Sequence, residues 1–397
     1  MRRAETARRM HIAMVTETYP PEVNGVARTV ALMAEGLYAR GHSVQLVRPR
    51  QSRADAALAG ANYEELLRPG IPIPRYTQLK MGLPSRRALL RAWHERRPDL
   101  VHIATEGPLG WSALAAARKL GVPVTSDFHT NFHAYSKHYG VAWLARPVAA
   151  VLRRFHNRCD CTMVPTDEMA AELARLGFER LRVVGRGVNA QTFSPARRRS
   201  ELRAQWGAGE QDLVALCVSR FAPEKNFPLV LEAYEAMRRA NSATRLVLVG
   251  DGPLLAQLRK ANTGSVIAGR LVNGELSAHY ASADVFLFPS VTETFGNVTL
   301  EAMASGLAVV AYRYAAARQH LEHGRSGLLA EPGDRAGFIA QAERLAREPG
   351  LARELGCAAR AAAEPISWER ITADFEAVLL DTVQPAPARR EAAHAAA

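Results

Sequence analysis

The sequence predicts an α/β protein of two doubly wound domains facing across a cleft, each a parallel sheet with helices on both faces. Three observations lead there. The 397 residues exceed one domain of roughly 100–200 residues. Short apolar strands alternate with helical segments throughout, the rhythm of parallel βαβ units. A polar, basic stretch after Pro195, ARRRSELRAQWGAGEQD, breaks that rhythm near the middle of the chain. A composition 48% hydrophobic and 23% charged excludes wholesale disorder.

In the first half, strands are predicted over His11–Thr16, Ser43–Val47, Leu100–Ala104, Val122–Thr125 and Cys161–Val164. Helices are predicted over Asn24–Arg40, which Gly41 ends, and over Pro84–Arg97, Pro108–Leu120, Val141–Arg158 and Thr166–Leu176. In the second half, strands are predicted over Val214–Val218, Arg245–Val249, Ser265–Ala268, Val285–Phe288 and Leu307–Ala311. Phe227–Ala240 and Pro253–Lys260 are among the helices between them. The expected organisation is a first domain over 10–190, a linker over 191–212 and a second domain over 213–365. The Ala/Pro-rich tail, 384–397, is expected to be disordered. In such sheets ligands bind beyond the carboxyl ends of the strands, so the polar residues that follow strands are the ones to examine.

The net charge of +12 is one-sided: residues 1–200 carry +15 and residues 201–397 carry −3. This asymmetry suits an anionic partner, although heavy Arg and Ala use also follows from a GC-rich genome. No zinc-finger, RRM or KH pattern is present, which disfavours nucleic acid. Pro84–Arg97 sets Leu89, Leu90 and Trp93 among five arginines. Val141–Arg158 similarly combines Trp143, Leu144 and Leu152 with Arg153 and Arg154. Such helices either lie in an anionic lipid interface or turn their apolar side to a core. Four cysteines, Cys159, Cys161, Cys217 and Cys357, are too few and too oddly spaced for a disulfide scaffold or a zinc site, and fit a reducing cytoplasm. No apolar run approaches the ~18 residues of a membrane span. The opening MRRAETARRM lacks the apolar core of a signal peptide, and Met10 is an equally good start.

The segment richest in chemistry is PSVTETFGNVTLE, from Pro289 to Glu301. A strand ends, a polar turn follows, and a helix is predicted to begin near Phe295–Gly296. Amide groups at a helix start have no intrahelical acceptor, and Gly296 admits an oxygen close to them, which makes a phosphate site. Glu293 and Glu301 beside such a site suit sugar and ribose hydroxyls; the plain alternative is a helix-start charge and a solvated Glu301. After Val214–Val218, the loop SRFAPEKN offers Arg220 and Lys225, two cations able to stabilise a leaving diphosphate or simply a solvated pair. The loop TETYPPEVNGV places Gly25 at a helix start. DFHTNFHAY offers His129 and His133, either hydroxyl-orienting or structural. The turn Gly250-Asp-Gly-Pro253 lacks the full glycine fingerprint, so no nicotinamide cofactor follows.

Together these segments resemble the family-4 retaining glycosyltransferases of the GT-B fold. Glu293 and Glu301 match that family's E-x7-E motif. The Gly25 loop, the His129 segment, Arg220 with Lys225, the VGDGP turn and Glu322-His-Gly-Arg-Ser-Gly-Leu328 support it, in the family's order over residues 10–365. The first loop departs by reading PPEVNGVAR without the common double glycine. The resemblance implies that Glu301 binds the nucleotide's ribose and Glu293 the donor sugar's hydroxyls. It further implies that the amides of Thr294, Phe295, Gly296 and Gly25, with Arg220 and Lys225, hold the diphosphate. His129 would lie near the reacting carbon, and main chain around Ile267–Arg270 would meet the base. No metal or other cofactor is implied beyond a nucleotide-diphosphate sugar, because cationic side chains replace it. A helix over 366–383, opening at Ser367-Trp-Glu-Arg370, would return to the first domain.

The subgroup it looks closest to includes sulfolipid synthases and GDP-mannose-dependent mannosyltransferases. That implies a lipid or cell-envelope glycan acceptor held by the basic first domain, in a cytoplasmic protein at the inner membrane face. Rival readings are a nucleotide-sugar 2-epimerase, a dehydrogenase and a non-catalytic nucleotide-sugar-binding protein.

Overall fold

The computed structural model describes residues 9–384 apart from 23, 53, 61, 74–75, 130–144 and 262–263. The tail beyond 384, His133, Trp143 and Leu144 therefore lie outside the described residues. The described chain divides into two units: residues 9–129, 145–185 and 371–384 form the first, and residues 186–370 the second.

The first unit holds strands β1 (His11–Val15), β2 (Ser43–Pro49), β3 (Tyr63–Arg68), β6 (Leu100–Ile103), β7 (Val124–Asp127), β8 (Cys161–Val164) and β9 (Leu181–Val183). They pair in parallel in the order β3-β2-β1-β6-β7-β8-β9. Strands β4 (Gly70–Ile73) and β5 (Tyr76–Gly82) form a separate antiparallel hairpin. The second unit holds β10 (Val214–Val218), β11 (Arg245–Val249), β12 (Val266–Gly269), β13 (Val285–Phe288), β14 (Ala308–Tyr312) and β15 (Leu328–Ala330), ordered β12-β11-β10-β13-β14-β15. Each order reverses once, between β1 and β6 and between β10 and β13. At such a switch point adjacent loops leave the sheet in opposite directions and open a crevice.

Both faces of the second sheet are covered. Val214, Leu216, Val218, Phe286, Phe288 and Val309 enter one apolar cluster. Their neighbours Ala215, Cys217, Val285, Leu287 and Val310 enter another. Strands buried on both faces must be apolar at every position, which is why these read as uninterrupted runs.

One expectation changes, and two alternatives left open by the sequence are decided. The stretch 191–212 is no linker: it holds helix Ser200–Gln205, with Leu202 and Trp206 in the core of the second unit. Arg203 is buried there too, neutralised by Asp284 at 3.0 Å and by the carbonyls of Gly209 and Asp212. The chain passes between units at Gly185/Arg186 and again at Arg370/Ile371. The helix from Arg86 to Glu95 turns Leu89 and Trp93 into the core, where Trp93 Nε1 donates to Gln45 at 2.8 Å. Its apolar stripe is therefore internal, and the exposed positions are Arg86, Arg87, Arg91, His94 and Glu95. Helix Ala145–His156 likewise buries Leu152 and Phe155 but leaves Val151 55% exposed beside Arg154.

Helix Trp368–Val383 completes the first unit. Ile371, Phe375 and Leu379 are buried, Phe375 lies edge-on to His102 at 4.8 Å, and Glu376 accepts from His42 at 2.7 Å and from Arg40 at 2.6 Å.

Candidate active site

The loops after β10 and β13 emerge side by side at the switch point of the second unit, and their side chains pair. Lys225 Nζ donates to Glu293 Oε1, and Ser290 Oγ donates to the same oxygen at 2.7 Å. Both groups are largely shielded from water, so the lysine is a desolvated charge-assisted donor rather than a surface ion pair. Both of these donors reach Oε1, which leaves Glu293 Oε2 for a ligand hydroxyl. Arg220 is held at 2.5 Å by Glu224, a fully buried carboxylate whose pKa is lowered because the Arg220 guanidinium outweighs the cost of burial. The carbonyl of Glu224 in turn accepts the Val291 amide at 3.1 Å, tying the two loops together.

The turn after β11 fixes the Arg220 loop from its other side. Gly250 and Gly252 have φ of +145° and +154°, and a Cβ on Gly250 would lie 1.9 Å from the Ser219 carbonyl oxygen. Phe221 exchanges backbone hydrogen bonds with Asp251 and Leu254, at 2.8 and 2.9 Å. The VGDGP turn thus serves close packing of two loops.

Gly296 caps helix Asn297–Ala304 with φ +88°, a conformation that favours glycine. Thr294 and Phe295 precede it. Phe295 is buried and its carbonyl accepts the Ala316 amide at 2.9 Å, and Tyr314 Oη donates to the Glu293 carbonyl at 2.9 Å. Lys225 meets Glu293 three residues before this helix cap, a cation and a helix start in a combination suited to a diphosphate. Glu301 is buried and accepts from Tyr280 Oη at 3.1 Å, so the alternative of a solvated carboxylate fails. Ile267 sits half-buried on edge strand β12 and Arg270 is exposed just beyond it, two strands away from β10; Gly269 ties that strand end to the VGDGP turn by accepting the Gly250 amide at 2.8 Å.

Gly25 and His129 belong to the first unit. Gly25 opens helix Gly25–Ala39 and is exposed; Asn24 before it accepts the Ala27 amide at 2.8 Å and donates to Thr18 Oγ1 at 2.8 Å. His129 follows β7, buried, with Nε2 3.0 Å from Asp127 Oδ2.

Residues that motif reading missed complete this edge of the sheet. Glu17, after β1, accepts the Leu109 amide at 2.8 Å and the Gly82 amide, while its own N–H donates to Thr105 at 2.7 Å. Burial pushes the Glu17 carboxyl up, and burial pushes neighbouring Glu106 up to about 7. Glu17 lay inside the quoted loop TETYPPEVNGV; its partners, more than 60 residues away, carry no local signal. Among the described residues no cluster of three or more His, Cys, Asp and Glu side chains is placed to hold a metal ion. No helix among them is long and apolar enough to cross a membrane.

Two doubly wound sheets, the second with cations, a helix start and a buried carboxylate at its switch point, define a glycosyltransferase of the GT-B class. Comparison with known proteins agrees. The profile of Glycosyltransferase Family 4 matches residues 23–192, and that of Glycosyl transferases group 1 matches residues 212–348. A GDP-mannose-dependent alpha-mannosyltransferase of Mycobacterium tuberculosis is 34% identical over 82% of this chain and 85% of its own length. An alpha-monoglucosyldiacylglycerol synthase of Acholeplasma laidlawii is 28% identical over 94% of this chain and 98% of its own. Among solved structures, Anabaena Alr3699/HepE in complex with UDP and glucose has the same fold, with a TM-score of 0.74 at 18% identity, covering 94% of this chain and 100% of that one. The chain belongs to glycosyltransferase family 4, and it is a hexosyltransferase.

Proposed function

We propose that the protein transfers a hexosyl group, with retention, from GDP-mannose or a UDP-sugar to a lipid or glycan acceptor of the cell envelope. The observation that carries this reading is the Lys225–Glu293 pair beside the start of helix Asn297–Ala304. Leaving-group departure puts charge on the diphosphate. Lys225, Arg220 and the amides at Gly296 would meet that charge with no metal ion, while Glu293 Oε2 and Glu301 take sugar and ribose hydroxyls. His129, held by Asp127, would orient the donor sugar, and Gly25 would admit the phosphate from the first unit. The relatives' names, a GDP-mannose-dependent mannosyltransferase and a diacylglycerol glycosyltransferase, support the donor and acceptor classes.

The exposed arginines Arg86, Arg87 and Arg91, and Arg154 beside exposed Val151, support peripheral attachment to an anionic membrane from the cytoplasmic side. Nucleic acid has no role in this reading.

The test is release of free nucleotide from GDP-mannose, UDP-glucose, UDP-galactose or UDP-glucuronate, with and without membrane lipid extract, each run in the absence and in the presence of EDTA. Lipid-dependent release from one donor is expected. Silence with every donor, or complete loss on adding EDTA, would sink the reading. Binding to anionic vesicles should weaken as salt rises; no binding, or binding indifferent to salt, removes the membrane.

A further inference from the structure

A second polar feature lies in the first unit, at the carboxyl ends of β2 and β3. Strand β2 ends Arg48-Pro49, β3 ends at Arg68, and the β4–β5 hairpin folds back beside them with Lys80. Arg48 is buried and fully neutralised: it reaches Asp55 at 2.7 Å and Glu65 at 2.9 Å. Arg50 donates to the carbonyl of Asp55 at 2.5 Å and also feels that residue's carboxylate charge. Arg68 and Lys80 have no carboxylate partner among the described residues.

These cations share one open cavity of about 590 Å³ whose wall includes Arg50, Gln51, Ser52, Leu67, Arg68 and Lys80, and no carboxylate. Two donors in that wall are buried without an acceptor: Arg68 Nε and Gln51 Nε2. Burial alone lowers the Arg68 pKa, as expected for a guanidinium that has lost water and gained no counter-charge. A fold normally pairs or exposes such groups, and leaving them unpaired costs stability. Three cations and a side-chain amide on three different elements match the several oxygens of a tetrahedral oxyanion. Leu67 adds an apolar wall.

The cavity is tied to the Gly25 loop. Glu22, in that loop, accepts the Lys80 amide at 3.1 Å, and Asn24 caps the helix that Gly25 opens. We propose that this cavity is an anion subsite holding a phosphoester headgroup of the acceptor. This rests on the glycosyltransferase reading and adds to it a charged acceptor, anchored by Arg68 at the end of β3 and by Lys80 of the β4–β5 hairpin.

The test is calorimetric titration of the full chain at low salt with glycerol 1-phosphate and, separately, with inorganic phosphate. Arg68→Gln and Lys80→Gln are each expected to weaken glycerol 1-phosphate at least tenfold and to raise the acceptor KM with little change in kcat. Arg175→Gln, on an exposed helix of the same unit, should change neither. If Arg68→Gln fails to fold, Lys80→Gln decides alone. Absent binding, binding unchanged in Lys80→Gln, or binding of inorganic phosphate without glycerol 1-phosphate would each overturn the proposal. GDP and UDP titrated into the same proteins separate the two readings. Wild type that binds neither nucleotide breaks the transferase reading, whereas intact nucleotide binding with no headgroup binding breaks only this one.

Discussion

The two units share a strand order but charge their switch points with opposite sign. In the second, the loops after β10 and β13 bring two cations to a helix start, each steadied by a carboxylate: Lys225 by Glu293 and Arg220 by Glu224. In the first, the loops after β1 and β6 bring Glu17 and Glu106 to the corresponding place, and Glu17 itself occupies the amides at the start of helix Pro108–Leu120. There the exposed-edge cations lie farther out, after β2, at the end of β3 and on the β4–β5 hairpin, in the wall shared by Arg50, Arg68 and Lys80. The same topology can therefore present a phosphate-seeking or a hydroxyl-seeking edge. What decides is which side chains follow the strands, so strand order alone locates a crevice without saying what enters it.

The largest effect should come from breaking the cationic edge. Lys225→Ala and Glu293→Gln are each expected to lower turnover about 100–1000-fold, with melting temperature nearly unchanged, on the proposed roles of Lys225 toward the departing diphosphate and of Glu293 toward the donor sugar's hydroxyls. A fall under tenfold in either variant would remove that residue from the chemistry. Next is the turn that holds this edge in place. Gly250→Ala drives a methyl against the Ser219 carbonyl and should cost on the order of 3 kcal/mol, read by urea unfolding of the second unit. Wild-type stability would mean the two loops are not rigidly packed.

The smallest effect sharpens the acidic edge. Glu106 is raised to about 7, so its protonated form favours the fold. Its contribution is complete below the ordinary carboxylate range and is lost as pH climbs to 7. Wild-type melting temperature should fall over that window, and Glu106→Gln should flatten the fall. Parallel profiles for the two proteins would show that Glu106 ionises freely.

The central strands were legible because burial on both faces forces unbroken apolar runs. Cys161–Val164, Val214–Val218, Arg245–Val249 and Val285–Phe288 begin and end where the sequence predicts. Strand β3, Tyr-Glu-Glu-Leu-Leu-Arg, escaped because it lies at the sheet edge and its buried Glu65 is licensed by Arg48 from another strand and by the Leu58 amide. The Arg- and Ala-rich helices Arg335–Arg347 and Pro349–Ala363 escaped as well, their apolar face built largely from alanines. At the site, each loop was recognisable by its position after a strand. Its pairing was not: Lys225 and Glu293 stand 68 residues apart, and nothing local announces that one will neutralise the other. Glu224 was passed over for the same reason, as a charged residue in a charged loop whose complete burial depends on Arg220.

Helix Trp368–Val383 has a consequence for the order of events during synthesis. A ribosome that has released residue 185 has delivered every strand of the first sheet, yet His42 and Arg40 still lack Glu376, and Phe375 has not yet covered His102. The nascent first unit must wait with that flank open while residues 186–370, the described part of the second unit, emerge and fold. The last helix then closes the first unit, so the part of the protein translated first is the part finished last.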